Sequence, residues 1–267
     1  MAQGVFPFKY ETDKETTGMT ALAGLPVYLD LARVTGLSKS IEKHLKVREG
    51  GQGWTDSQIV LSLILFLAGG DCVDDIKKLE ADDGFCDVLK KTEMHGLRRK
   101  VRRALLHRWR KEKTRAVPSA SSIFRYLAAF HDSKQEKQRQ HGKAFIPAPN
   151  VHLQGFVGIS KDLAAFSSFQ NFGSTATLDM DATLVSTNKI DALFSYKGYQ
   201  PLNTWWFEQG IILHTEFRDG NVPAGFQQLR VFKEALGCLP KSVKQVRLRS
   251  DTAGYQHALP ERIADLT

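Results

Sequence analysis

Cysteine is scarce in this chain. Cys72, Cys86 and Cys238 are odd in number and show neither CxxC nor Cys/His ligand spacing, which excludes a disulfide framework and a zinc site and leaves them as small buried apolar residues. Long apolar runs are missing too. The longest, Ile59 to Ala68, is interrupted by Ser62 and falls far short of the ~20 residues a membrane span requires. The opening stretch, MAQGVFPFKYETDKE, lacks the basic-then-apolar order of a secretory signal, so a cytoplasmic location is expected. The glycines of GFVGISKDLAAFSSFQNFG fit neither GxGxxG nor the P-loop, and GK[ST] does not occur; nucleotide hydrolysis has no support. Between Asp71 and Leu89 lie Asp74, Asp75, Glu80, Asp82, Asp83 and Asp87. They lack EF-hand spacing and read as the solvated face of amphipathic helices.

What is present is ample apolar material and one concentrated block of positive charge. At 267 residues and 42% hydrophobic content, the chain can build one large domain or two ordinary ones. Its formal charge of +8 comes from 37 basic and 29 acidic residues. Between Arg98 and Arg115, ten Lys/Arg stand against the single acid Glu112, more than the whole net charge. Leu97, Val101, Leu105 and Trp109 recur every four residues in this block, so a helix can bury one stripe. It would then present Arg98, Arg99, Lys100, Arg102, Arg103, Arg110 and Lys111 to solvent or to phosphate. Such a patch is the footprint of a phosphate-backbone binder; a solvated helix face is the alternative.

Taken in order, residues 1–20 are polar and expected to be flexible. Ala21 to Leu45 reads as two short helices broken at Gly36. Trp54-Thr55-Asp56-Ser57 caps a third, QIVLSLILFLAGG, apolar nearly all round and stopped at Gly69-Gly70. Pro118 to Ser122 leads into IFRYLAAFHD, a capped helix that, after a basic helix, resembles a helix-turn-helix pair. Ser121, Ser122 and Arg125 are therefore candidates for phosphate or base contact, with an ordinary helical hairpin as the alternative. Asp132 to Asn150 reads as a linker, giving a helical domain over 21–150 and a second domain over 151–267.

In the second domain, Val151 to Phe172 reads as a helix or loop leading to a strand. Ser174 to Tyr199 follows, STATLDMDATLVSTNKIDALFSYKGY. Asp179 and Asp181, two positions apart in an apolar, β-branched run, point to one face of a strand; a solvated strand face would account for them equally. Antiparallel strands are expected over LFSYKGYQP and NTWWFEQGIILHTEFR, with a turn at Asp219-Gly220-Asn221, a helix from Phe226 to Leu236, and a strand over Val243 to Asp251. Asp251 closes that strand beside a turn at Gly254, a common position for catalytic or metal-binding carboxylates in an α/β sheet. The order predicts a mixed α/β sheet.

LDMDAT at 178–183, SYKGYQPL at 195–202, RDGN at 218–221 and VRLRSDTAGY at 246–255 together resemble the DDE transposases of bacterial insertion sequences, in the subgroup with the group 1 DDE domain. The order of elements agrees over residues 20–267, and the specific motifs lie in the second half. The resemblance implies an α+β or mixed α/β chain: a helical N-terminal DNA-binding domain, then an incomplete RNase H-like domain. It implies DNA strand cleavage and transfer at transposon ends, with double-stranded DNA as partner and a homodimer on that DNA. Carboxylates would hold Mg²⁺ (or Mn²⁺), which prefers oxygen ligands. Asp181, followed by Ala182-Thr183, fits the first catalytic and metal-binding Asp, with Asp179 as the alternative or a supporting partner, and Asp251 fits the second. The family's later Glu has no counterpart. Glu261 is too close to Asp251, Glu208 and Glu216 precede it, and the chain reaches Thr267 sixteen residues after Asp251. The expectation is a truncated N-terminal portion that binds DNA and cuts it poorly or not at all, with one sheet face and an edge uncovered. A catalytically dead DNA-binding fragment able to inhibit an intact copy is the second reading. The third, another RNase H-like nuclease, has no need of the basic helical half.

Overall fold

The structure is a computed structural model and describes residues 19–48, 53–103, 115–138, 140, 143–171, 173–187 and 198–250. The chain is mixed α/β and divides between Phe130 and His131 into two compact units. No helix among the described residues is long and apolar enough to cross a membrane.

The first unit is helical. α1 (Pro26–Val34) begins with proline, whose fixed φ suits a first helical turn. Gly36, at φ 72°, takes the left-handed turn into α2 (Leu37–His44). α3 (Asp56–Leu67) starts on a reciprocal cap: the Thr55 hydroxyl accepts from Gln58 N–H, and the Gln58 side chain accepts from Thr55 N–H. After it, a Cβ at Gly70 would lie 2.8 Å from the Phe66 ring and carbonyl, so the chain turns there only with glycine. A short 3₁₀ turn leads to α4 (Ile76–Glu80), and α5 (Asp83–Met94) follows. α6 begins at residue 99 and is described through 103, and α7 spans Ala120–Leu127. The core gathers Leu29, Leu65, Phe66, Ile76, Leu79, Phe85, Leu89, Val117 and Ile123. Each such side chain contributes about 1.5–3 kcal/mol on burial.

Several acids expected only to keep these helices soluble instead fasten the unit. Glu80 accepts from the N–H groups of Ala116 and Val117, at 3.2 and 3.1 Å, which docks the approach to α7 in the core. Asp82 caps α5 through Phe85 N–H and also accepts from Thr20 Oγ1 at 2.6 Å. Asp75 accepts from the N–H groups of Asp71 and Cys72. Asp74 and Asp87 do fit the solvated reading, pairing with Lys77 and Lys90 across one helical turn.

The second unit starts earlier than the expected linker allows. Asp132 caps α8 (Ser133–Glu136), and the Gln135 side chain donates to Ala148 O at 2.8 Å while accepting from Ala148 N–H at 2.6 Å. The described residues between 132 and 150 are thereby part of this unit. α9 (Val151–Gln170), capped by Asn150, resolves the open helix-or-loop alternative as a helix. The strands are β1 (Thr175–Ala182), β2 (Val185–Ser186), β3 (Gly198–Tyr199), β4 (Leu202–Trp206), β5 (Ile211–Glu216) and β6 (Gln245–Ser250), with α10 (Gln228–Leu236) before β6. The sheet runs β5-β4-β1-β6, antiparallel except for the parallel β1–β6 pair. The residues of LFSYKGYQP before Gly198 lie outside the described residues; β3 pairs with β2 in a separate ribbon.

Period-two alternation organises the sheet. Ala176, Leu178 and Met180 of β1 point into a core with Leu202, Trp206, Leu213, Val231, Phe232 and Ala164, so α9 and α10 supply that layer. Thr175, Thr177, Asp179 and Asp181 face the other way.

Replacing Glu80 with Ala leaves two buried N–H groups without their acceptor and should lower stability by about 1–3 kcal/mol. Urea unfolding followed by circular dichroism measures this. A change below about 0.5 kcal/mol, the usual range for a surface substitution, would show that Glu80 does not dock the segment.

Candidate functional site

The polar face of the sheet is assembled by register. β1 pairs with β6 so that Thr177 lies beside Arg247 and Asp179 beside Arg249, and with β4 so that Asp179 lies beside Trp205 and Asp181 beside Asn203. Side chains opposite one another in register share a face, so Asp179, Asp181, Arg247, Arg249, Asn203 and Trp205 converge there. Thr215 extends the face, donating its hydroxyl to Asn203 at 3.0 Å.

The two β1 carboxylates have different surroundings. Asp179 receives a paired grip from Arg249: Nε donates to Oδ1, and Nη2 donates to Oδ2 at 2.5 Å. The same guanidinium lies 4.3 Å above the Phe207 ring, a cation–π arrangement. Asp181 is exposed, and its carboxylate makes no hydrogen bond or ion pair among the described residues, although its backbone pairs with Asn203. β6 ends at Ser250, opposite Met180; Asp251, next in the chain, lies outside the described residues.

Glu208 stands at the other end of this face, on the 3₁₀ turn Phe207–Gln209 between β4 and β5. Its carboxylate accepts from Thr177 N–H at 2.7 Å and from Thr177 Oγ1 at 2.5 Å. It thus supplies an acceptor where β4 has turned away from β1. Burial pushes its pKa up, but the bonds from Thr177 outweigh that and hold it below the ordinary carboxylate value. Gln209 of the same turn accepts from Ser167 Oγ at 2.7 Å, tying the turn to α9.

The RDGN stretch carries a buried cation. Arg218 is 0% exposed; its Nε donates to Glu216 Oε1 at 2.7 Å, and its Nη1 lies 3.4 Å from the carbonyls of Pro223 and Ala224. The other Glu216 oxygen accepts from Arg230, which also reaches Glu234 at 2.8 Å. His214 Nε2 lies 3.1 Å from Glu234, and burial holds this imidazole below its ordinary pKa. These groups brace the β5 end against α10, so RDGN is an internal fastening as well as the expected turn.

In the first unit, Arg98, Arg99, Lys100, Arg102 and Arg103 are all exposed. The expected apolar stripe is not buried at Val101, which is 47% exposed; Leu105, Trp109, Arg110 and Lys111 lie outside the described residues. Within the expected cap stretch, Ser119 caps α7, accepting from Ser122 N–H at 3.2 Å, and its hydroxyl meets the Ser122 hydroxyl at 3.0 Å. Ser121 and Arg125 are exposed on one side of α7, and Arg125 Nε donates to Ser121 O at 3.2 Å. Ile123 and Tyr126 occupy the buried side.

Arg249 and Phe207 are not among the candidates the sequence offered, and Glu208 entered only as an acid preceding Asp251. A signal for Arg249 existed: in QVRLRS the arginines alternate with apolar residues, which places them on the polar face of any strand there. Glu208 gave none, because its partner Thr177 is 31 residues away.

Among the described residues, no group of three or more His, Cys, Asp or Glu is placed to hold a metal ion. Because its folded-state pKa is lowered, Glu208 adds stability that is complete above the unfolded carboxylate value of about 4.3. That stability is lost as pH falls through the lower folded value. Glu208→Gln should therefore flatten the acid limb of the Tm against pH curve between about pH 5 and 3. Parallel curves for the two proteins would remove Glu208 from the acid sensitivity.

Compared with known proteins, the chain matches no family model, no curated protein and no solved structure.

Proposed function

We propose that this chain is a DNA transposase of the DDE class, with a helical DNA-binding unit and an RNase H-like second unit. Its activity would be metal-dependent cleavage and transfer of DNA strands at the ends of an insertion sequence. The observation that carries the reading is the parallel pairing of β1 and β6. Met180 and Ser250 are partners; Asp181 follows Met180 within β1, and in the sequence Asp251 follows Ser250. The two expected catalytic carboxylates thus each follow one member of a single register pair in the sequence, which supports the reading. Their chemistry suits Mg²⁺ or Mn²⁺, hard ions that take oxygen ligands; Asp181, exposed and uncommitted among the described residues, fits that role. When bound, such ions activate a water or a DNA 3′-hydroxyl and stabilise the leaving oxygen.

The exposed cations at 98–103 support the DNA-binding half, with Ser121 and Arg125 as further phosphate or base contacts. Double-stranded DNA, met as a homodimer in the cytoplasm, is the proposed partner. A DNA-binding role without catalysis, which could inhibit an intact copy, is the second reading.

Binding to duplex DNA across a salt titration tests the reading, with the element's own ends compared against random duplex. A variant with Arg98, Arg99, Arg102 and Arg103 changed to Ala should lose about 0.9 from the slope of log K against log salt for each phosphate contact removed. Preference for the ends, with a shallower slope in the variant, is the expected result. An unchanged slope would take the basic segment out of the DNA interface.

A further inference from the structure

One face of α7 is built but unused by its own unit. Ile123 and Tyr126 anchor the opposite side, at 0% and 2% exposed, and Tyr126 meets the Phe130 ring at 5.5 Å. The start of the helix is held as well, by the Ser119 cap and by Glu80, which accepts from the N–H groups of Ala116 and Val117 just before it. A helix fixed in this way presents its outer side chains in one geometry. Ser121, Phe124, Arg125 and Ala128 form that outer stripe by their spacing of three, four and seven, and all four are exposed.

Phe124 is the outlier on this stripe, a large ring left 56% exposed. Beside it, Arg125 donates Nε to Ser121 O at 3.2 Å, which lays the guanidinium along the stripe. Both of its Nη groups stay without a hydrogen bond among the described residues. The flanking residues, Ser121 and Ala128, are small, so they let a surface approach the ring and the guanidinium together. The charge here has one sign. From residue 113 to 131 the chain carries Lys113, Arg115 and Arg125 and no acid, and the exposed cations at 98–103 belong to the same unit. A polyanion complements such a surface. The DNA major groove also offers partners for both central side chains: the thymine C5-methyl for an apolar ring, and guanine O6 and N7 for a guanidinium fork.

We propose that α7 reads duplex DNA through this face, with Phe124 packed on a thymine methyl and Arg125 donating to the guanine of a nearby base pair. The inference rests on the reading that this unit binds DNA. It deepens that reading by naming Phe124 as a specificity-determining residue and by giving the kind of site, an A·T pair close to a G·C pair along one stretch of major groove. The cations at 98–103 supply affinity without sequence, and α7 supplies the discrimination.

The test uses the full chain and a pool of random-sequence duplexes. The most enriched duplex is remade with each thymine in turn replaced by uracil, which lacks only the methyl, and each guanine by 7-deazaguanine, which lacks the N7 acceptor. One thymine replacement should weaken wild-type binding about threefold or more and make no difference to Phe124→Ala. Arg125→Gln should likewise be indifferent to one 7-deazaguanine that weakens the wild type. Phe124→Leu, which keeps an apolar contact, should retain part of the methyl penalty, and it replaces Phe124→Ala if thermal unfolding shows that variant not to be folded. A penalty that persists in Phe124→Ala, or wild-type binding indifferent to every thymine methyl, overturns the inference and leaves DNA binding standing. A dimer that becomes a monomer in Phe124→Ala with the penalty intact assigns the face to a second copy and also overturns it. No binding of any duplex by the folded chain overturns the inference and the DNA-binding reading together.

Discussion

The parallel pairing of β1 with β6 is the constraint on which the second unit depends. β1 is a central strand, flanked by β4 on one side and β6 on the other, so its register fixes what every neighbour presents. A slip of one residue would send Leu178 and Met180 to solvent and bring Asp179 into the apolar layer of Trp206, Leu213 and Phe232. Several kcal/mol of lost burial oppose that slip. The polar face is therefore specified indirectly, because the apolar face leaves only one acceptable alignment. Arg249 and Glu208 then fasten neighbouring positions of the polar face, one through Asp179 and the other through Thr177.

Charged residues do unexpected structural work in both units. In the first, Glu80 and Asp82 accept from backbone N–H groups that would otherwise lack partners where segments meet the core. In the second, Glu216 stands between the buried Arg218 and the more exposed Arg230. Removing one partner from such a buried pair costs more than the pair gains, since the remaining charge keeps its desolvation penalty. This is why carboxylates that look interchangeable in composition are not so in the fold. Asp74 and Asp87 make one-turn surface pairs, whereas Glu80 holds a chain segment 36 residues away.

The fold was legible wherever the signal was local. Gly36, the Thr55–Gln58 cap, the glycines after α3 and the alternating β-branched run of β1 each act within a few residues, and the corresponding elements form where those signals stand. The boundary between units was less legible. Residues 132–150 are polar enough to read as a linker, yet the side-chain amide of Gln135 holds the backbone of Ala148 through two hydrogen bonds. Val101 shows the limit of spacing: the four-residue repeat gives a helix a stripe it can bury, but spacing sets only the face, and Val101 is 47% exposed.

By itself, the sequence determined the concentration of positive charge at 98–115, the helical character of the first unit, the mixed sheet of the second, and the common face of Asp179 and Asp181. All of these follow from composition or from the 3.6- and 2-residue periods of local structure. The tertiary structure alone decided which of the two carboxylates is engaged. Asp179 and Arg249 are 70 residues apart, and nothing in either neighbourhood couples them until a parallel crossover lays β6 against β1 in one register. The distinction between a held carboxylate and an open one is therefore a property of strand pairing, and strand pairing is settled by burial of the opposite face.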